Sequence, residues 1–329
     1  STASPAAMRR LGLETRITPG VDACGVLQVH LDLLPGASEE FYFVLGQGGD
    51  KAQARSLARK YQNPDHVSAA YQRMQTFWQH LLETIQVRTP EPSTDLILNR
   101  WALYQALSCR IWGRTAFYQS SGAFGFRDQL QDVLALLSID PTISRGQILN
   151  AARHQFKEGD VMHWWHPPSG RGVRTRISDN LLWLPYVTAA YILATGDRDI
   201  LEEKIPFLDA PPLGPGEEER YNEFPYSPHS ATLLEHCQRA MEKGATRGQH
   251  GLPLIGTGDW NDGFNKVGDQ GRGESVWLAW FTVEVLNRFA RVCELLGDTE
   301  RAASYRAWAQ DYTAAAEETA WDGAWYRQT

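Results

Sequence analysis

Near Asp50 the hydrophobic pattern of this chain changes period, and that change limits the fold more than any other feature. Before it, Leu27, Val29, Leu31 and Leu33 alternate with Gln28, His30 and Asp32, the period-two pattern of a strand with one wet face. Pro35-Gly36 predicts a turn, and the apolar run Phe41 to Leu45 ends at Gly46. The expectation is a hairpin. A lone hairpin is marginal in water, so its partner strands are expected to lie outside this sequence, in a larger β domain. After Asp50 the spacing is helical throughout. Lys51 to Tyr61 and Val67 to Val87 come first, the second with Tyr71, Met74, Phe77, Trp78, Leu81 and Leu82 along one stripe. Pro90-Glu91-Pro92 breaks the pattern and marks a boundary.

Seven long apolar-periodic segments follow: Leu96 to Trp112, Asp128 to Leu137, Arg145 to Phe156, Asp179 to Thr195, Ala231 to Lys243, Glu274 to Leu296 and Glu300 to Trp321. Gly196, Gly244 and Gly297 stand where C-terminal caps are expected. The connections alternate in character. Gly297-Asp298-Thr299 is short, whereas Gly113 to Arg127, Gly159 to Ser178 and Gln249 to Gly273 are long, aromatic and glycine-rich. Antiparallel helix pairs arranged in a ring put tight turns at one end and functional loops at the other. A toroid of paired helices is therefore expected, and the chain reads as a fragment of one at both ends.

Bulk properties exclude several functions. A formal charge of −7 argues against nucleic acid as a partner, which a basic stripe would favour. No run of about 18 apolar residues occurs, and Ser1 to Arg10 lacks the apolar segment of a signal peptide. Cys24, Cys109, Cys237 and Cys293 are far apart, as expected of buried thiols in a reducing compartment. The twelve tryptophans stand out; indole faces suit the C–H groups of sugar rings.

Gly256-Thr257-Gly258-Asp259-Trp260-Asn261-Asp262-Gly263 places two carboxylates, an indole and an amide between glycines. Acid chemistry on a sugar needs a carboxylic acid for the leaving oxygen and a flat apolar face for the ring; a helix-capping polar turn accounts for the same residues more plainly. Gly122 to Asp132 carries Arg127, Asp128 and Asp132, with the two aspartates on one helical face, where they favour the helix dipole or meet hydroxyls or an arginine. His163-Trp164-Trp165-His166 precedes Arg171, Arg174 and Arg176, followed by Ser178, Asp179 and Asn180. Two histidines three apart with no carboxylate or cysteine motif make a poor metal site, and no metal is expected. The arginines suit an anion, or a solvated loop whose Asp caps the next helix. His236 and Cys237 are helix neighbours pointing about 100° apart and make no catalytic dyad, and Glu235 and His236 read as wall or core residues.

Taken in order, G-F-R-D-Q-L-Q-D, G-R-G-V-R-T-R-I-S-D-N-L-L-W-L-P-Y, H-G-L-P-L-I-G-T-G-D-W-N-D-G and G-R-G-E-S-V-W-L resemble the inverting glycoside phosphorylases of glycoside hydrolase family 94. The likeness extends to the phosphorylase-like region of cyclic β-1,2-glucan synthases. It implies a mainly α fold: the last strands of a β-sandwich over residues 1–50, a helical linker over 51–92 and the first part of an (α/α)6 barrel over 93–329. It further implies Asp262 as general acid, Trp260 in the donor subsite beside Asp259, and Arg127, Asp128 and Asp132 as a sugar-binding loop. Arg176, Ser178 and Asp179 match a second donor-site loop. Many relatives carry Asp where this chain has Asn180.

The implied reaction uses inorganic phosphate as co-substrate and no cofactor. Phosphate is already anionic, so one acid suffices, and burial against Trp260 with the charge of Asp259 is expected to keep a proton on Asp262. The implied partners are a β-glucan or β-glucoside, phosphate, and the rest of the same polypeptide, with a homodimer as one assembly. Location in the cytoplasm, or as the cytoplasmic part of an inner-membrane synthase, follows from the same likeness. A disaccharide phosphorylase for cellobiose or cellobionic acid and a non-catalytic glycan-binding module are the alternatives.

Overall fold

A computed structural model describes residues 10–13, 19–20, 25–113, 122–167 and 169–329. Cys24, Pro168 and the middle of the loop between Gly113 and Arg127 lie outside these residues. The chain divides into two compact units, Ser1–Gln75 and Thr76–Thr329.

In the first unit the expected hairpin is not formed. Residues 25–50 contain no paired strand, although the turn at Pro35-Gly36 is present, closed by the Ala37 N–H donating to the Leu34 carbonyl at 2.9 Å. Leu27, Val29, Leu31 and Leu33 stay exposed, so no apolar burial offsets the entropy of ordering two strands. α1 (Lys51–Lys60) follows, capped by Asp50, whose side chain accepts from the Gln53 N–H. α2 (Pro64–Glu83) carries the chain into the second unit.

The second unit is helical where periodicity predicts helices. Residues 92–112 form one helical run, α3 (Pro92–Leu96) and α4 (Ala102–Gln105) alternating with wider π-type turns at Ile97–Trp101 and Ala106–Trp112. Leu107 of this run packs with Leu81 and Leu136. Then come α5 (Phe126–Leu134), α6 (Pro141–Ala152), α7 (Trp183–Thr195), α8 (Leu233–Gly244), α9 (Val276–Leu296) and α10 (Thr299–Thr319). α5, α7 and α9 pack side by side, and α6, α8 and α10 each back onto one of them. This inner-and-outer alternation is a partial (α/α) barrel. Its core runs from Phe126 and Leu130 through Leu184 and Val187 to Leu286 and Phe289, all buried. α7 and α9 meet through aromatic rings, with Trp183 and Phe281 centroids 4.6 Å apart.

Gly196 and Gly297 close α7 and α9 in the left-handed conformation, as expected. Gly244 does not. It is the last residue of α8, and a Cβ there would stand 2.8 Å from the Leu182 side chain, so close packing rather than capping requires glycine. The reading of everything after Asp50 as helix also needs correction. The long loops carry β1 (Phe124–Gly125), β2 (Met162–His166), β3 (Arg171–Thr175), β4 (Lys204–Leu208), β5 (Glu219–Glu223) and β6 (Tyr226–Thr232). β1, β2, β3 and β5 form an antiparallel sheet in that order, and β4 pairs with β6. These strands are short, most of them polar or aromatic, and ladder pairing rather than alternation defines them. No helix among the described residues is long and apolar enough to cross a membrane.

Candidate active site

The three inner helices start at one end of the arc, and the chemistry-bearing loops meet there. Arg127 and Asp128 lie in the first turn of α5. Asp179 immediately precedes the short turn Asn180–Leu182 that leads into α7. Ser275 caps α9, its Oγ accepting from the Leu278 N–H at 3.0 Å. Helix N-termini leave N–H groups unpaired and carry partial positive charge, which favours carboxylates there.

Arg127 is the centre of the cluster. It is nearly buried, and its Nη1 donates to both oxygens of Asp179 at 3.2 Å. Its Nη2 donates to both oxygens of Asp262 at 3.1 Å, and Nη1 also reaches the Asp259 carbonyl at 3.3 Å. One guanidinium thus ties the α5, α7 and α9 loops together, and its planar fork makes this geometry available. Burial opposes its charge, but Asp179 and Asp262 more than offset that and hold it above its ordinary range. Asp179 is fully buried and also accepts from Trp183 Nε1 at 3.1 Å. Burial pushes its carboxyl up to about 6, against the pull of Arg127 and the Trp183 N–H.

The Asp262 side chain is half exposed, and Trp260 is 53% exposed. The expected burial of Asp262 against Trp260 is therefore absent: its contact is with Arg127, which itself sits 6.0 Å from the Trp260 ring. Asp259 is buried and turned away from the cavity. Its Oδ2 accepts from Ser275 Oγ at 2.6 Å and its Oδ1 from the Asn261 N–H at 2.9 Å, locking the Asp-Trp-Asn-Asp turn to the cap of α9.

The second predicted loop supports this turn from behind. Ile177 pairs with Gly256, the Ser178 N–H donates to the Gly258 carbonyl at 2.9 Å, and Ser178 Oγ donates to the Ile255 carbonyl at 2.9 Å. Gly256 has φ +64°, and a Cβ there would lie 2.0 Å from the Arg176 carbonyl oxygen, so only glycine fits. The Arg176 side chain points elsewhere, donating to the Leu213, Gly214 and Glu217 carbonyls.

A cavity of about 410 Å³ opens in front of Asp262, lined also by Ala123, Gly125, Arg127, Asp128, His163, Trp164 and His166. Gly125 lets the chain pass close to Asp128: a Cβ there would meet Asp128 Oδ2 at 2.5 Å and push that side chain aside. Sequence reasoning weighed His163 and His166 only as metal ligands and missed their place here. The cause is a bulge in β2. Met162 pairs with Arg174 and Trp164 with the adjacent Val173, so His163 is the extra residue. Successive strand side chains normally face opposite ways, and the bulge lets His163 and Trp164 share one cavity. The Asn180 amide lies 2.7 Å from His163 Nδ1, and His163 Nε2 stands 3.7 Å from Asp262 Oδ2. Burial holds His163 below its ordinary range despite Asp262, so the ring is neutral near pH 7.

Other predicted residues are not brought to the cavity. Asp132 pairs with Arg110 at 3.0 Å. The three arginines of this loop do not converge on one point. Arg174 is buried between Asp160, at 2.6 Å, and Glu158, at 2.9 Å, and lies over Phe156, while Arg171 lies over Tyr221. His236 and Cys237 are core residues, and Glu235 pairs with Arg239 one helical turn on.

Residues 77–329 match the glycosyl hydrolase 94 superfamily catalytic domain, and residues 1–64 match the glycosyl hydrolase 94 supersandwich domain. The cyclic beta-(1,2)-glucan synthase NdvB of Rhizobium meliloti is 42% identical over 308 residues, 93% of this chain and 11% of the synthase. Solabiose phosphorylase of Paenibacillus borealis is 30% identical over 327 residues, 99% of this chain and 39% of that enzyme. N,N'-diacetylchitobiose phosphorylase of Vibrio proteolyticus is 28% identical over 334 residues, 92% of this chain and again 39% of that enzyme. The chain thus spans well under half the length of each.

Proposed function

From the premise that this chain belongs to the glycosyl hydrolase 94 superfamily, we propose that it carries the acid side of an inverting phosphorolysis of β-glucosidic bonds. Asp262 gives its proton to the bridging oxygen, the C–O bond to the acceptor sugar breaks, and inorganic phosphate attacks the opposite face of the anomeric carbon. The products are α-glucose 1-phosphate and an acceptor with a free hydroxyl. An inverting hydrolase would need a second carboxylate to activate water, whereas an anionic nucleophile needs none. The observation that carries the reading is the place of Asp262, half exposed on the wall of a cavity large enough for a sugar ring and shared with Asp128, His163 and Trp164.

In this reading Arg127 and Asp179 hold the acid in place, Asp128 meets sugar hydroxyls, and Trp260 offers its exposed face to the ring. Asp259, Ser178, Arg176 and Asp132 hold the loops. We assign residues 1–50 to the end of a β-sandwich, 51–92 to a helical linker and 93–329 to the barrel. The greater identity to the glucan synthase than to the two phosphorylases supports β-1,2-linked glucan as substrate.

The test is release of glucose 1-phosphate from β-1,2-gluco-oligosaccharides by the full-length polypeptide. Asp262→Asn is expected to lower kcat by about 100-fold or more for a sugar leaving group, with oligosaccharide binding retained. Release of glucose without phosphate, or an Asp262→Asn variant near wild-type activity, would refute the assignment.

A further inference from the structure

We propose that Trp164 and Tyr221 form a stacking platform for the acceptor chain, seating sugar units beyond the bond that Asp262 cleaves. The inference rests on the glycan-cleaving reading and adds where the acceptor chain runs and which residues favour long chains over a disaccharide. In the four-stranded sheet, Val173 is the register partner of Trp164 on one side and of Tyr221 on the other, so the three share a row on one face. The Trp164 and Tyr221 rings close over buried Val173, with centroids 5.6 Å apart.

The next row along the same face is His166, Arg171 and Glu223. His166 stands edge-on to Trp164 at 5.2 Å, and Arg171 lies 5.1 Å from the Tyr221 ring. The result is a strip of aromatic faces edged by hydrogen-bonding groups, the chemistry that grips a neutral polyhydroxylated chain through its C–H faces and its hydroxyls.

Continuity fixes the occupant. Trp164 and His166 line the cavity of Asp262, so the strip begins at the reacting bond and leads away across the sheet. A lid over Val173 alone would need only an aliphatic side chain, yet Tyr221 keeps 47% of its surface exposed.

The experiment compares β-1,2-glucan hexasaccharide with disaccharide on the full-length polypeptide, in phosphorolysis and, with Asp262→Asn, in calorimetric binding. Tyr221→Leu keeps the apolar cover over Val173 but removes the flat ring. It is expected to lower the hexasaccharide-to-disaccharide ratio of kcat/KM, and of binding constants, about ten-fold, while Tyr221→Phe preserves both ratios. If Tyr221→Leu leaves both ratios unchanged, or if the wild type binds the two lengths equally, the platform is refuted. If binding shows the length effect but no phosphate-dependent turnover occurs, the platform stands and the phosphorolytic reading fails.

Discussion

Replacing Asp179 by asparagine should make the protein gain stability, relative to wild type, as pH rises. Asp179 is fully buried, and burial lifts its carboxyl from 3.8 to about 6 even with Arg127 and Trp183 bonded to it. Between those values the folded state binds a proton that the unfolded state has released. Stability contributed by the protonated group is complete below about pH 4 and is lost as pH rises through 6. At ~1.4 kcal/mol per pH unit, the loss is about 3 kcal/mol. Asparagine has the same shape, still accepts from Trp183 Nε1 and cannot ionise, so the variant lacks this loss. Arg127 keeps Asp262 as a partner, which limits the cost of an unpaired buried charge.

The assay is chemical denaturation of wild type and Asp179→Asn side by side from pH 4 to 7. His154 and His236 titrate in the same window with the opposite sign and cancel in the difference. The expected result is a stability difference that moves by about 3 kcal/mol in the variant's favour between the ends of the range. Parallel curves would refute the argument that burial outweighs the arginine at this site.

The histidine contribution is itself testable. His154 stacks on Trp165 at 3.7 Å, and burial lowers it from 6.5 to about 4, so its stabilisation is full above pH 6.5 and lost as pH falls to 4. His154→Phe keeps the stack and should flatten that fall by about 3 kcal/mol; an unchanged slope in the same denaturation series would show the ring is not the source. Gly256→Ala sets a Cβ against the Arg176 carbonyl at positive φ and should cost more than about 2 kcal/mol, lowering the melting temperature and activity together. A fully stable alanine variant would contradict the described loop contact. His163→Leu removes the polar ring edge facing Asp262 and should lower kcat about ten-fold or more, whereas His163→Gln should retain much of it; equal losses in steady-state kinetics would reduce the ring to a space-filler.

Local pattern was enough to place most of the helices and to find the important loops. Segments such as Glu274 to Leu296 carry their own periodicity, and Gly297 marks its own stop, because both signals act within a few residues. Arg127, Asp179, Asp262 and Trp260 were legible as candidates for the same reason: loops rich in glycine, aspartate and indole are recognisable by composition. The alternation in residues 25–50 forms no paired strand, since alternation describes a face that needs something to cover it. β3 and β5 were invisible, since ladder pairing carries no strong residue signal in strands as polar as Glu219–Glu223.

What each charged group meets was decided only by the tertiary structure. Arg127 finds Asp179 and Asp262 at separations of 52 and 135 residues, and no local rule selects those partners over Asp132, which Arg110 takes instead. One extra residue in β2 turns His163 towards the acid, and a bulge depends on pairing with β3 rather than on the sequence of β2 alone. Sequence determined the elements and the inventory of reactive side chains. Their partners and direction came from packing three helix starts against one another, because Coulomb and hydrogen-bond energies depend on distance in space and not along the chain.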